Sequence, residues 1–255
     1  MQSINPFFQP GATTESAPAR PKRDRDRYAK LPQAPVTGSP VPHLTSLYHN
    51  SDPGPWGDRG YPGNCGGNII RDLLLFYRPK SVFDPFLGSG TAKQVCESMG
   101  IPCIGMDIRY GQDACSPGSY PLGKRFDFIW SHPPYHRMKK YTDDPRDLSN
   151  QPTLAAFLER YGRFIANCAG ILAEGGKFAV LMGDYHDAQE GYMPLVFWTK
   201  FLAFEAGLKQ SSTDIVRFSH GASSGRKVYK SAFIPGLHDI VSIFEKRPSK
   251  EGEKP

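Results

Sequence analysis

The chain has 255 residues, 39% hydrophobic and 12% aromatic, which predicts one domain with a sizeable core plus a tail. Its formal net charge of +6 favours an anionic partner such as nucleic acid. The five cysteines are scattered, odd in number and without a Cys-x-x-Cys pair, so neither a metal site nor a disulfide framework is supported. No run approaches the ~18 apolar residues of a membrane span, and the N-terminus lacks a signal-peptide core. A soluble, cytoplasmic protein with no metal and no membrane partner is expected.

Residues 1–43 are rich in Pro, Ser, Thr, Ala and Gln without apolar periodicity, and predict a disordered, basic and Pro-rich tail. Within it, Arg20 to Lys30 carries a basic excess diluted by aspartates, which suits either a polynucleotide backbone or a solvated linker. From Leu44 to Asn68 the chain reads as a glycine-dense loop, ending Gly63-Asn64-Cys65-Gly66-Gly67. Ile69 to Tyr77 then predicts a helix, ended by Pro79.

Two stretches follow in which a short apolar strand runs straight into a stiff loop. The first is Ser81-Val82-Phe83-Asp84-Pro85-Phe86-Leu87-Gly88-Ser89-Gly90-Thr91, with helix-like Ala92 to Met99 behind it. Strand, glycine turn and helix N-terminus together let a ligand approach bare backbone. Cys103 to Asp107 predicts the next strand. Its terminal acid lies about twenty residues past the glycine loop, where it can accept hydrogen bonds from a ribose. The second stretch is Phe126-Asp127-Phe128-Ile129-Trp130-Ser131-His132-Pro133-Pro134-Tyr135. Proline cannot continue a ladder, so the strand must stop there and a rigid turn must present Tyr135.

Beyond that turn, Arg137, Lys139 and Lys140 with Tyr141 have the composition of a phosphate contact. Thr153 is a predicted N-cap for a helix to about Leu172, which Gly175-Gly176 end before a strand from Lys177 to Met182. Asp184 follows that strand as a turn residue or a pocket wall. Pro194 to Ala206 predicts a helix with its aromatics in the core, and 214–218 with 239–244 predict a final antiparallel pair. The polar loop between them carries Arg226 and Lys227, further candidates for touching nucleic acid. One folded domain is expected over 44–247, with a flexible C-terminus at 248–255.

Asp84 to Thr91 matches the Asp-Pro-Phe-x-Gly-Ser-Gly-Thr pattern of the DNA amino-methyltransferases, and Pro133-Pro134-Tyr135 matches the last three positions of that family's catalytic motif. The chain therefore resembles enzymes that methylate adenine N6 or cytosine N4. The resemblance spans about Gly60 to Asp184. It implies an α/β fold, the Rossmann-like class I sheet with helices on both faces, and S-adenosyl-L-methionine (AdoMet) as cofactor. It also implies that Asp84, Pro85, Phe86, Gly88, Ser89, Gly90 and Thr91 bind AdoMet, with Asp107 on the ribose and Asp113 near the adenine amino group. Gly63 and Asn64 would meet the methionine end, a turn being the competing reading.

The family places Asp, Asn or Ser before Pro-Pro-Tyr, and this chain places His132 there, with Ser131 one position back. A neutral imidazole has one acceptor nitrogen, so His132 can accept from an amine only while uncharged; a rate falling below about pH 6.5, the ordinary His value, is expected. Pro133 would supply a carbonyl acceptor and Tyr135 a stacking surface. DNA is the favoured partner. RNA, a protein glutamine, or an inactive domain that binds AdoMet or DNA are the alternatives, and the chain has no room for a separate recognition domain. Monomer or homodimer is left open.

Overall fold

The computed structural model describes residues 36–49, 52–218 and 234–246. Its sheet grows outward from the strand of the first motif. β2 (Val82–Asp84) is buried along its length and is flanked by β3 (Cys103–Gly105) and β4 (Phe126–Ser131), both parallel to it. β5 (Leu172–Met182) runs parallel to β4, and β10 (His238–Lys246) antiparallel to β5. Beyond β10 lie β9 (Ile215–Phe218), antiparallel to it, and β1 (Leu47–His49), parallel to β9. The order is β1-β9-β10-β5-β4-β2-β3, with β8 (Leu208–Gln210) also pairing β10.

Strands covered on both faces should read as continuous apolar runs, and Phe128-Ile129-Trp130 and Phe178 to Met182 do. Their period of two divides the core. Phe128 and Trp130 face α1 (Asn68–Tyr77) and α2 (Thr91–Ser98), packing with Ile69, Leu73 and Val95. Ile129, Phe178 and Val180 face the other way, against Phe157, Tyr161, Phe164 and Ile165 of α3 (Leu154–Ile171). α4 (Leu195–Glu205) joins the same side through Leu195 and Ala203. The result is a Rossmann-like α/β sheet with helices on both faces, as the motif resemblance implies.

Four local readings change. The body begins before residue 44, because Val41 is only 2% exposed and His43 Nε2 lies 2.7 Å from the buried Asp72 carboxylate. Within the expected loop, β1 forms because Tyr48 is buried and donates its hydroxyl to Asp72 at 2.7 Å. Gly175 and Gly176 lie inside β5 and do not end the helix. Leu172 is buried opposite Phe126, so the chain is already extended there, and a Cβ on Gly176 would stand 3.1 Å from the Phe126 carbonyl.

The aromatics of α4 are the fourth change. Phe197, Phe201 and Phe204 are 57%, 45% and 49% exposed. Leu195, Thr199 and Ala203, spaced four apart, take the buried face, and the small Thr199 and Ala203 let the helix approach.

One buried ion pair ties the late strands to the glycine-rich segment. Arg217 and Asp239 are register partners on β9 and β10, both buried, with Nε to Oδ1 at 2.8 Å and Nη2 to Oδ2 at 2.5 Å. Arg217 Nη1 donates to the Cys65 carbonyl. Removing one member strands the other charge in a dry site. Arg217→Met should therefore cost about 3–5 kcal/mol in urea unfolding, whereas Arg217→Met with Asp239→Leu should recover most of it.

Candidate active site

Parallel pairing sends the ends of β2, β3 and β4 to one edge of the sheet, where open α/β sheets bind ligands. There a cavity of about 850 Å³ opens. From the first motif it is lined by Asp84, Pro85, Phe86, Gly88, Ser89 and Thr91; from the second, by His132 and Pro134. Gly63, Asn64, Asp107 and Asp113 complete the predicted set that lines it. Gly90, Pro133 and Tyr135 are outside the lining.

The glycine turn is dictated by geometry. Gly88 has φ 52° and Gly90, which precedes α2, has φ 84°, both in the left-handed region that favours glycine. Asn64 clips the upstream glycine segment to this turn: its Oδ1 accepts from Thr91 Oγ1 at 3.1 Å and from Gly66 N at 3.0 Å.

Of the four carboxylates that line the cavity, Asp84, Asp107 and Asp113 belong to the predicted set and differ in their partners. Asp84 is buried and accepts from Phe86 N at 3.0 Å; among the described residues no cation pairs with it. Burial pushes its pKa up to about 7, the Asp107 charge adds to that, and the Phe86 N–H opposes it. Burial also acts to raise Asp107, but hydrogen bonds from Arg109 and Gly88 outweigh it and hold this carboxyl below the usual range. Asp113 accepts from Cys115 N at 2.9 Å and from Arg160 Nη2 at 2.8 Å.

In the second loop, His132 Nε2 lies 3.2 Å from Tyr135 Oη, and the rings meet edge-on at 5.5 Å. Burial drives the Tyr135 hydroxyl far above its ordinary pKa, so it stays neutral. Its ring packs against Gly183, where a Cβ would stand 3.0 Å from Tyr135 Cε2. Ser131, the other side chain considered for the first motif position, is fully buried on the α3 side of β4, its Oγ without a hydrogen-bond partner among the described residues. It does not line the cavity; His132 does.

The basic residues divide. Arg137 is committed to the hairpin of β6 (Tyr185–Asp187) and β7 (Gly191–Met193): it reaches Asp187 at 2.9 Å, Glu190 at 3.5 Å and Gln189 at 2.7 Å. Lys139 is exposed, and Lys140 pairs with exposed Asp143 at 2.6 Å. Arg226 and Lys227 lie outside the described residues. Asp184 accepts from Val196 N at 2.8 Å and from Tyr192 Oη at 2.9 Å, a turn role at the start of α4.

Sequence reasoning missed Tyr61, Tyr141 and Arg109 on the cavity wall. Tyr61 and Tyr141 stack at 6.3 Å, and the Arg109 guanidinium lies 5.2 Å over Tyr61. Gly63 and Gly88 make room for them: a Cβ would stand 2.5 Å from Tyr141 Oη at the first and 3.1 Å from Tyr61 at the second. Among the described residues no helix is long and apolar enough to cross a membrane, and no group of three or more His, Cys, Asp or Glu could hold a metal.

No protein-family model matches the chain, and no curated protein matches it. Solved structures do. TrmN from Thermus thermophilus is 18% identical with a TM-score of 0.41, over 70% of this chain and 48% of its own. The protein TTHA0409, also from Thermus thermophilus and complexed with S-adenosyl-L-methionine, is 19% identical with a TM-score of 0.38, over 56% of each chain. A TehB-like AdoMet-dependent methyltransferase from Corynebacterium glutamicum is 16% identical with a TM-score of 0.38, over 66% and 80%. The chain thus spans about half the length of the first two. In fold the chain is a Rossmann-like α/β domain.

A raised carboxyl pKa has a defined sign. Asp84 holds its proton more tightly in the folded chain than at the ordinary 3.8, so its contribution to stability is fully present below about pH 4 and is lost as pH rises toward 7. Asp84→Asn removes that dependence. Thermal melts from pH 5 to 8 should show the difference between native and Asp84→Asn protein changing steadily in the variant's favour.

Proposed function

We propose that the chain is an AdoMet-dependent methyltransferase acting on an exocyclic amine of a nucleic-acid base, adenine N6 or cytosine N4, with DNA as the polymer. The observation that carries this reading is the meeting of its two motifs. The Asp-Pro-Phe loop and the Pro-Pro-Tyr loop leave the adjacent parallel strands β2 and β4 and line one cavity.

The residues suit the cofactor chemically. Asp84 is an acid with no cationic partner among the described residues and would take the ammonium of AdoMet; Gly88 and Gly90 present backbone without side chains; Asp107 would face the ribose and Asp113 the adenine. Bound AdoMet supplies a methyl group on a sulfonium, an electrophile that needs only a well-placed lone pair. The exocyclic amine is a weak nucleophile because its lone pair is delocalised into the ring. Acceptors that take its N–H hydrogens localise that pair on nitrogen and orient it.

Two such acceptors stand at the second loop, the Pro133 carbonyl and His132. His132 Nε2 lies 3.2 Å from Tyr135 Oη, a hydroxyl that can donate or accept, and in the neutral ring one nitrogen remains an acceptor. Tyr135 would offer a ring face for the base, worth roughly 1–3 kcal/mol by stacking. As the amine forms its bond to carbon, its surplus proton leaves through these acceptors to water. Lys139, exposed beside the loop, would supply positive charge for phosphates, whereas Lys140 is paired with Asp143.

Nucleoside mass spectrometry after incubation with AdoMet and duplex DNA, single-stranded DNA or RNA tests the reading. N6-methyladenine or N4-methylcytosine in DNA is the expected product. Label in RNA alone would change the polymer, and no methylated base despite AdoMet binding would leave a binding domain. In the same assay His132→Ala should lose about a hundredfold in rate, the scale of one removed transition-state hydrogen bond, and His132→Asn should keep most of it.

A further inference from the structure

The carboxylate of Asp107 is fully subscribed in the protein by itself. Oδ1 accepts from the backbone N–H and from Nε of Arg109, each at 2.9 Å. Oδ2 accepts from Arg109 Nη2 at 2.8 Å and from Gly88 N–H at 3.0 Å. An ionised carboxylate offers about four acceptor positions, so this set leaves none for a ligand. Arg109 also donates to the Gly88 carbonyl, tying the segment after β3 to the first loop on the cavity wall.

We propose that Arg109 is an autoinhibitory latch on Asp107, which a ligand must displace through two neighbouring hydroxyls. The inference rests on the cofactor reading given above, in which those hydroxyls belong to the AdoMet ribose. The arrangement of donors is what makes the latch separable. Two of the four hydrogen bonds come from backbone N–H groups, which cannot leave, and they keep the carboxylate aimed. The other two come from the guanidinium, one on each oxygen. Withdrawing the side chain therefore frees one acceptor position per oxygen, the pattern that a vicinal diol fills.

Arg109 also has somewhere to go. Its side chain is 36% exposed, so the charge can move into water at small desolvation cost. Its guanidinium already lies 5.2 Å from the Tyr61 ring and 5.9 Å from exposed Tyr110, faces that can hold it once Asp107 is released. The latch lowers affinity for any diol ligand by the free energy of its own two bonds. Its effect is smaller on a ligand that keeps only one of the two hydroxyls.

Isothermal calorimetry on the full chain tests this, using S-adenosylhomocysteine and its 2′-deoxy analogue with native, Arg109→Ala and Arg109→Lys proteins. Arg109→Ala should bind S-adenosylhomocysteine about fivefold tighter than native protein, the upper range for an exposed ion pair. For the 2′-deoxy analogue, which keeps one of the two hydroxyls, the gain should be clearly smaller. Arg109→Lys, which keeps the charge but not the fork, should fall between, and it carries the comparison if Arg109→Ala does not fold. Equal or weaker binding by Arg109→Ala, with native protein binding normally, overturns the latch alone. Failure of every protein to bind S-adenosylhomocysteine overturns the cofactor reading and the latch with it.

Discussion

The parallel pairing of β2 with β4, Val82 opposite Phe128 and Phe83 opposite Ile129, is the constraint on which the candidate site depends. Both strands are buried on both faces, so their ladder bonds are made in a place where water cannot substitute for them. Two loops that are some forty residues apart in sequence are thereby delivered to the same edge. Each loop is stiff for its own reason, left-handed glycines in one and consecutive prolines in the other.

A second layer of order comes from contacts between distant segments. Arg217 and Asp239 bind each other and the Cys65 carbonyl, fastening the glycine-rich segment to the far half of the sheet. Asn64 then fastens that segment to Thr91 at the start of α2. Gly183, at the end of β5, leaves the space that the Tyr135 ring occupies. The cavity is framed by contacts from both halves of the chain, and its charges are set by that frame. Asp84 is held toward its neutral form by burial, while Asp107 is held ionised by Arg109.

The α4 surface shows where a simple pattern rule misleads. Phe197, Phe201 and Phe204 look like a core stripe, yet the buried stripe is Leu195, Thr199 and Ala203. Helix burial is decided by how closely two backbones can approach, and small residues permit the closer approach. The same limit applies to β1: Tyr48 forms a strand because a buried Asp72 on α1 accepts its hydroxyl, and nothing near Tyr48 in sequence announces that partner.

What the sequence by itself determined is local and chemical. Val82-Phe83 and Phe128-Ile129-Trp130 could only be buried strands, Gly88-Ser89-Gly90 could only be a tight turn, and Pro133-Pro134 had to stop a strand. From those residues the α/β class and part of the cavity lining were legible: Asp84, Pro85, Phe86, Gly88, Ser89, Thr91, Asp107, Asp113 and His132 all lie there. Only the tertiary structure decided how these groups are spent. It committed Arg137 to Asp187 and Glu190, buried Ser131 away from the cavity, set Tyr135 on His132, and closed Arg109 over Asp107. The physical reason is that a side chain's type states which bonds it can make, whereas its partner is chosen by the packing of elements distant along the chain.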